Sequence, residues 1–361
     1  MHVALIKENQ PDEGRVALTP HACHQLIAAG HCVSVQAGAG VESGYPDEAY
    51  RQAGATLSDE PERLWREAEI IVKVREPSLE EAAWLQTEQR LFCYLHLASK
   101  PRLAEALCRS GVIALGYETV TDAQGHLPLL APMSAIGGRL AAQIGANLLM
   151  KHHKGRGVLL GGVAGAARGS AVVVGLGTAG TQAVEVLTAL GAEVLAFDKR
   201  IARLEALHSA HPNLTALYAH PEAIADAVVD ADLVICAAHV VGQRAPLLLQ
   251  RAHVQAMRPG AVIVDLAVEQ GGSVETTRAT TYSDPTYLAH EIVHFAVPNI
   301  PCAVPRTASE ALSGRITPYV LRLAERDWST SPALSSGVNV EAGGIVHPAV
   351  CAALAEAGMA E

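Results

Sequence analysis

Positive charge is in deficit in this 361-residue chain. Its 27 lysines and arginines face 37 aspartates and glutamates, a formal net charge of −10, and no basic cluster interrupts that balance. A nucleic-acid-binding surface is therefore not expected. Long apolar runs are absent as well, and no segment reaches the ~18 uninterrupted apolar residues of a membrane span. The opening decapeptide MHVALIKENQ carries charge at Lys7 and reads as a first strand, not a signal peptide. The seven cysteines (Cys23, Cys32, Cys93, Cys108, Cys236, Cys302 and Cys351) are scattered, odd in number and never spaced Cys-x-x-Cys. They read as reduced thiols of a cytoplasmic protein, which leaves no disulfide framework and no metal site. Aromatic residues make up only 4% and no internal repeat is visible. What remains is half hydrophobic and rich in Ala, Leu, Val and Gly, the composition of parallel α/β sheets buried on both faces. The length suffices for two domains.

The most informative segment runs from Ser170 to Asp198, SAVVVGLGTAGTQAVEVLTALGAEVLAFD. An apolar β-branched run meets Gly175-x-Gly177-x-x-Gly180, a helical pattern follows, and a second apolar run ends in an acid. Gly175 permits a tight strand-to-helix turn, Gly177 leaves room for a pyrophosphate, and Gly180 lets helix and strand pack closely. The helix start, with Thr178 and Ala179, presents N–H groups to phosphates. Asp198, about 20 residues on, is placed to accept from the adenosine ribose hydroxyls. This is the pattern of a Rossmann dinucleotide site, and an acid at that strand end repels a 2′-phosphate, so NAD is expected rather than NADP.

Along the chain, strands are expected at Val3–Ile6, Val33–Gln36, Ile70–Val74, Leu91–Leu95 and Val112–Gly116. Helical spacing covers Pro20–Ala29, Leu79–Gln86 and Pro101–Arg109. A long helix is expected over Ala135–Lys151, and further parallel strands at Leu233–Ala237 and Ala261–Leu266. The proline-rich crossover Pro298–Pro305 leads to helices over Thr307–Glu325, and the Ser/Gly/Ala-rich tail beyond Ser329 is expected to cap the first domain. The expected fold is α/β: two Rossmann-like doubly wound domains, with an NAD domain (133–304) inserted in a discontinuous substrate domain (1–132 and 305–361).

In doubly wound sheets, ligands bind outside the carboxyl ends of the strands. Arg15, Arg75 with Glu76, His96, Glu269 and Asn299 all lie just past strand ends or in the crossover. Arginines there suit an anionic substrate, and a histidine suits acid–base work near neutral pH. Read from the residues alone, each has a bland alternative. His96 can be structural, Arg75 and Glu76 a surface ion pair, and Glu269 a loop acid beside Gly271 and Gly272.

The blocks KENQPDEGRVALTP (Lys7–Pro20), KVREP (Lys73–Pro77), YLHLA (Tyr94–Ala98), PLLAPMSAIGGRLAAQIGA (Pro128–Ala146), GRGVLLGGVAG (Gly155–Gly165), MRPGAVIVDLAVEQGG (Met257–Gly272) and FAVPNIPCAVPRTAS (Phe295–Ser309) occur in order. Together with the glycine triplet they make the chain resemble the alanine dehydrogenase family nearly end to end. That family shares its fold with the soluble subunit of proton-translocating transhydrogenase. The resemblance implies NAD-dependent conversion of an L-amino acid into a 2-oxo acid and ammonia. It implies His96 and Glu269 as catalytic groups, and Arg15, Arg75, Tyr94 and Asn299 at the substrate. Ser134, the Gly175–Gly180 loop, Asp198 and Arg203 would serve the cofactor, in a homo-oligomer (dimer or hexamer) without nucleic-acid or membrane partners.

Two positions depart from the family pattern. Lys-Val-Lys-Glu-Pro becomes Lys-Val-Arg-Glu-Pro at Arg75, and Asp-Gln-Gly-Gly becomes Glu-Gln-Gly-Gly at Glu269. Guanidinium is planar and effectively never deprotonated, and glutamate is longer by a methylene. Either the two changes compensate, or they redirect the site to another 2-oxo acid or amine, as in an opine- or imine-type reductase. A cofactor-binding regulator without activity is a third reading, disfavoured because Arg15, His96 and Asn299 are all present.

Overall fold

The computed structural model describes residues 1–238 and 245–356. Its contacts divide the chain into two units: Met1–Met133 together with a stretch beginning at Cys302, and Ser134–Pro301.

In the first unit, six short strands alternate with helices: β1 (His2–Leu5), β2 (Cys32–Gln36), β3 (Thr56–Ser58), β4 (Ile70–Val72), β5 (Arg90–Cys93) and β6 (Ile113–Gly116). They pair in parallel in the spatial order β3-β2-β1-β4-β5-β6. Helices cover both faces, so a run such as Ile70-Ile71-Val72 is wholly buried. Local chemistry sets the helix ends. Thr19 caps the helix Pro20–Ala28 through the Ala22 N–H, with Pro20 at its first position. Ser78 and Glu81 form a reciprocal capping box on the helix Leu79–Ala82. That helix is shorter than its spacing suggests, because the Gln89 side chain takes the Gln86 N–H at 2.7 Å and turns the chain away.

The second unit repeats the plan with β7 (Ser170–Val174), β8 (Glu193–Asp198), β9 (Leu214–Tyr218), β10 (Leu233–Cys236), β11 (Val262–Asp265), β12 (Thr286–Ala289) and β13 (Ile292–Phe295). The order is β9-β8-β7-β10-β11-β13-β12, parallel except for the edge strand β12. Strands β12 and β13 form a hairpin that the sequence pattern does not announce. Its two-residue turn is His290-Glu291, both left-handed without a glycine to mark them (φ 52° and 63°).

After the helix Pro305–Leu323, the chain adds β14 (Val338–Glu341) and β15 (Gly344–Ile345) to the first sheet. Strand β14 runs antiparallel beside β6, and β15 antiparallel beside β14. The tail expected to cap the first domain therefore extends its sheet. The strands escape detection because they are four and two residues long, joined through Ala342-Gly343.

Strand order reverses between β1 and β4 in one sheet and between β7 and β10 in the other. Those reversals open a crevice at the carboxyl ends of the strands, where side chains can meet a ligand. In the second unit the helix Ala131–Leu148 packs so closely that its small residues are obligatory. A Cβ on Gly138 would run into the backbone of Ala179, 2.9 Å from its Cα, and one on Gly145 would strike the side chain of Leu233. The Gly138→Ala substitution is expected to destabilise the protein by about 2 kcal/mol or more, read as a lower midpoint in urea unfolding; an unchanged midpoint would mean the helix and the Ala179 backbone can part at no cost.

Candidate active site

At the reversal in the first sheet, the loops after β1, β4 and β5 bring polar side chains together around one buried carboxylate. Glu76 is 2% exposed. It accepts from Gln10 Nε2 at 2.8 Å, from His96 Nδ1 at 3.1 Å, and from Lys100 Nζ. The guanidinium of Arg75 bridges both its oxygens, Nε to Oε2 and Nη2 to Oε1, each at 3.3 Å. Burial works against a charge on Glu76, but the His96 hydrogen bond and the Arg75 charge outweigh it and hold the carboxyl far below its usual range. The two-point contact uses the planar fork that distinguishes arginine from lysine.

His96 follows β5 and is one-third exposed. Burial lowers its basicity, while the Glu76 hydrogen bond and the charge of Glu118 raise it, and the net pKa lies above the ordinary imidazole value. With Glu76 ionised, Nδ1 carries the proton, so Nε2 is the atom left to exchange protons. The Tyr94 ring stacks on the imidazole with centroids 5.9 Å apart. Its hydroxyl donates to Leu129 O at 2.7 Å, and burial holds its pKa high, so Tyr94 stays a neutral wall beside His96.

Arg15 is almost wholly buried and held edge-on by Glu13, with Nε to Oε1 at 2.6 Å and Nη2 on Oε2. Burial opposes its charge, and the Glu13 hydrogen bonds more than offset that, raising its pKa. Beneath the cluster lies Lys73, with no exposed surface, 3.0 Å from Glu81 and 3.9 Å from Glu8. Glu8 also accepts from the Val74 and Arg75 N–H groups, at 2.7 and 3.3 Å, and so fixes the loop that carries Arg75.

In the second unit the glycine turn follows β7. Gly175 is left-handed (φ 93°), and a Cβ there would meet the Ala237–Ala238 backbone at 2.8–2.9 Å. The space beyond Gly177 is open, and Thr178 and Ala179 begin the helix Thr178–Ala189. Asp198 ends β8 and accepts from Leu176 N at 2.7 Å and Arg200 N at 2.8 Å, with Arg203 Nη1 at 3.3 Å. An open glycine turn on a helix N-terminus, tied to an acid at the neighbouring strand end, fits a dinucleotide. Ser134 lies in the first turn of the helix Ala131–Leu148. Glu269 lies exposed in the short turn Val268–Gln270 after β11, and Asn299 takes a left-handed backbone (φ 54°).

The structure thus joins Arg75, Tyr94 and His96 in one cluster of the first unit, and holds Arg15 buried against Glu13 in the same unit. It joins the Gly175–Gly180 turn, Asp198 and Arg203 in the second. Glu76 as the hub, Lys100, Gln10, Glu13 and Glu118 were not singled out from the sequence. Glu118 follows β6 just as His96 follows β5, so the strand-end rule already pointed to it. Among the described residues no group of three or more His, Cys, Asp or Glu could hold a metal ion, and no helix is long and apolar enough to cross a membrane.

Two doubly wound sheets, one with a histidine–glutamate–arginine cluster and the other with an open glycine turn at its reversal, place the chain among the α/β oxidoreductases. It belongs to the alanine dehydrogenase/PNT family, whose N-terminal and C-terminal domain models match residues 4–137 and 141–348. It is 44% identical over 356 residues to the alanine dehydrogenase of Bacillus subtilis (strain 168), covering 97% of this chain and 94% of that protein. A solved L-alanine dehydrogenase superposes with a TM-score of 0.94 at 43% identity, covering 99% of each chain. The transhydrogenase of Sinorhizobium meliloti superposes with a TM-score of 0.84 at 26% identity, over 97% of this chain and 100% of that one.

Lys73 offers one charge to two carboxylates, and Glu8, the more distant, is pushed up to about 7, chiefly by burial. Folded Glu8 therefore keeps its proton well above the ordinary glutamate value of 4.5, so the folded state holds the extra proton between about 4.5 and about 7. Stability should fall as pH rises through that window. In Glu8→Gln that part of the decline should vanish, which urea unfolding across the window would show; an unaltered slope would assign it to another group.

Proposed function

We propose that this protein catalyses the reversible oxidative deamination of L-alanine: L-alanine, NAD and water give pyruvate, ammonium, NADH and a proton. The observation that carries this reading is the His96–Glu76 pair at the sheet reversal, flanked by Arg75 and walled by Tyr94, in a chain of the alanine dehydrogenase/PNT family.

When bound, NAD supplies the acceptor for the hydride that leaves the substrate Cα. Its pyrophosphate would lie at the Gly175–Gly180 turn with the N–H groups of Thr178 and Ala179, and its adenosine ribose at Asp198 and Arg203. Ser134 would complete its contacts, and Asn299 is assigned to the substrate. Arg15 and Arg75 hold the substrate carboxylate, and Glu13 and Glu76 fix the planes of the two guanidinium groups. Loss of the hydride leaves an iminium carbon, to which water adds. His96 Nε2 takes the water's proton, while the Nδ1 hydrogen bond to Glu76 stabilises the imidazolium. The same imidazolium returns that proton to the carbinolamine nitrogen; as the C–N bond breaks, the carbinol O–H proton passes to His96 Nε2, the carbonyl of the 2-oxo acid forms and ammonia departs. Glu269 is the second catalytic group we assign, by its place in the family's block. We assign the protein to the cytoplasm as a homo-oligomer, with only small-molecule substrates.

NADH oxidation followed at 340 nm should proceed with pyruvate only when ammonium is present. Inert pyruvate, with turnover of a different 2-oxo acid or amine, would mean Arg75 and Glu269 redirect the family's chemistry. The His96→Ala variant should lose turnover by ~100-fold or more while still binding NADH, measured by quenching or enhancement of nucleotide fluorescence. Undiminished turnover would remove His96 from the mechanism.

A further inference from the structure

His96 has a left-handed backbone, φ 49° and ψ 34°, at a residue that is not glycine. Such a conformation costs roughly 1 kcal/mol or more and persists only where neighbours enforce it. Here the neighbour is the carboxylate of Glu118. Its Oε1 accepts from the His96 N–H at 2.7 Å, and both its oxygens accept from the Leu95 N–H, at 3.1 and 3.2 Å. Two successive amides aimed at one anion are what a left-handed turn can offer and a regular strand cannot.

The carboxylate is itself fixed from behind. The turn after β6 is closed by Thr119, whose N–H and hydroxyl both donate to Gly116 O, at 3.1 and 3.0 Å. Asn339, buried on β14, donates to that Thr119 hydroxyl at 2.7 Å. Gly116 keeps the space beside it clear, since a Cβ there would stand 3.1 Å from Glu118 Oε2. Nothing in this arrangement requires Glu118 to touch a substrate.

We propose that Glu118 is the positioning residue of the acid–base centre: by binding the Leu95 and His96 amides it holds the backbone turn that aims the imidazole. This rests on the reading of His96 as the acid–base group. The charged groups facing His96 are Glu76 at its Nδ1, Arg75 and Lys100 on Glu76, and Glu118 at its backbone. Glu118 therefore acts twice, once through geometry and once through charge, and two substitutions separate the two. In Glu118→Ala both amides lose their acceptor and the turn relaxes. In Glu118→Gln the side-chain oxygen still accepts both N–H groups, but the negative charge is gone.

Expected for Glu118→Ala is a fall in kcat of ~10- to 100-fold, the scale of a displacement near 1 Å. KM for pyruvate should stay within about twofold, because Arg15 and Arg75 sit on other loops. Glu118→Gln should recover most of that kcat, with the His96 limb of the pH–rate profile moved to lower pH. The same downward movement should appear in the His96 imidazole titration followed by NMR, a readout that does not need turnover. It therefore tests the charge effect even if the substrate is not alanine. Undiminished kcat in Glu118→Ala, or loss in Glu118→Gln as deep as in Glu118→Ala, would overturn the positioning role. An unmoved His96 titration in a folded Glu118→Gln protein would overturn the charge effect.

Discussion

A carboxylate removed from water must be surrounded by donors or it takes up a proton, and the first unit is organised around that requirement at Glu76. Leaving a buried charge without partners costs several kcal/mol, so the side chains that answer it are not interchangeable ornaments. They arrive from loops far apart in sequence: Gln10 after β1, Arg75 after β4, His96 and Lys100 after β5. The strand order that places β1 beside β4 and β4 beside β5 is what lets these loops converge. In return, the same anion sets the tautomer and basicity of His96. A single ionised group thereby serves as both a structural knot and an electrostatic control on the His96 imidazole.

Around the knot, charges come in linked pairs. Glu13 holds Arg15, Glu76 holds Arg75, Glu81 holds Lys73, and Glu8 is left as the surplus acid. The presence of arginine at position 75 fits this pattern, since its fork spans both oxygens of Glu76. A more rigid, permanently charged group than lysine is thus tied into the network at position 75. The second unit uses a different economy, in which backbone geometry does most of the work: a glycine turn, a helix N-terminus and one acid that ties the turn to the next strand.

Much of this was legible in the sequence because the signals were local. The run from Ser170 to Asp198 carries turn, helix and acid within one unit, and β7, the helix and β8 appear where its periodicity places them. The strand-end rule also found Arg15, Arg75, Glu76 and His96. What escaped depended on contacts between distant segments. Glu76 looked like half of a surface ion pair because its other partners come from residues 10, 96 and 100. Strands β14 and β15 gave too few residues to show alternation, and the turn at His290-Glu291 lacked the glycine that usually advertises a hairpin. Tyr94 was legible as a neighbour of the site but not as a wall, since nothing in its sequence surroundings reveals that Leu129 takes its hydroxyl.

The pairing of β14 with β6 also imposes an order on synthesis. Domains tend to fold as units while the chain emerges from the ribosome, and the second unit is complete once residue 301 has been made. The first is not. Its sheet has an open edge at β6 until Val338–Ile345 arrives, more than two hundred residues later. Asn339, which pins the turn behind Glu118, arrives with it. The nascent chain thus carries an exposed β6 edge through the whole translation of the inserted unit, and the turn behind Glu118 acquires its last support only when β14 is made.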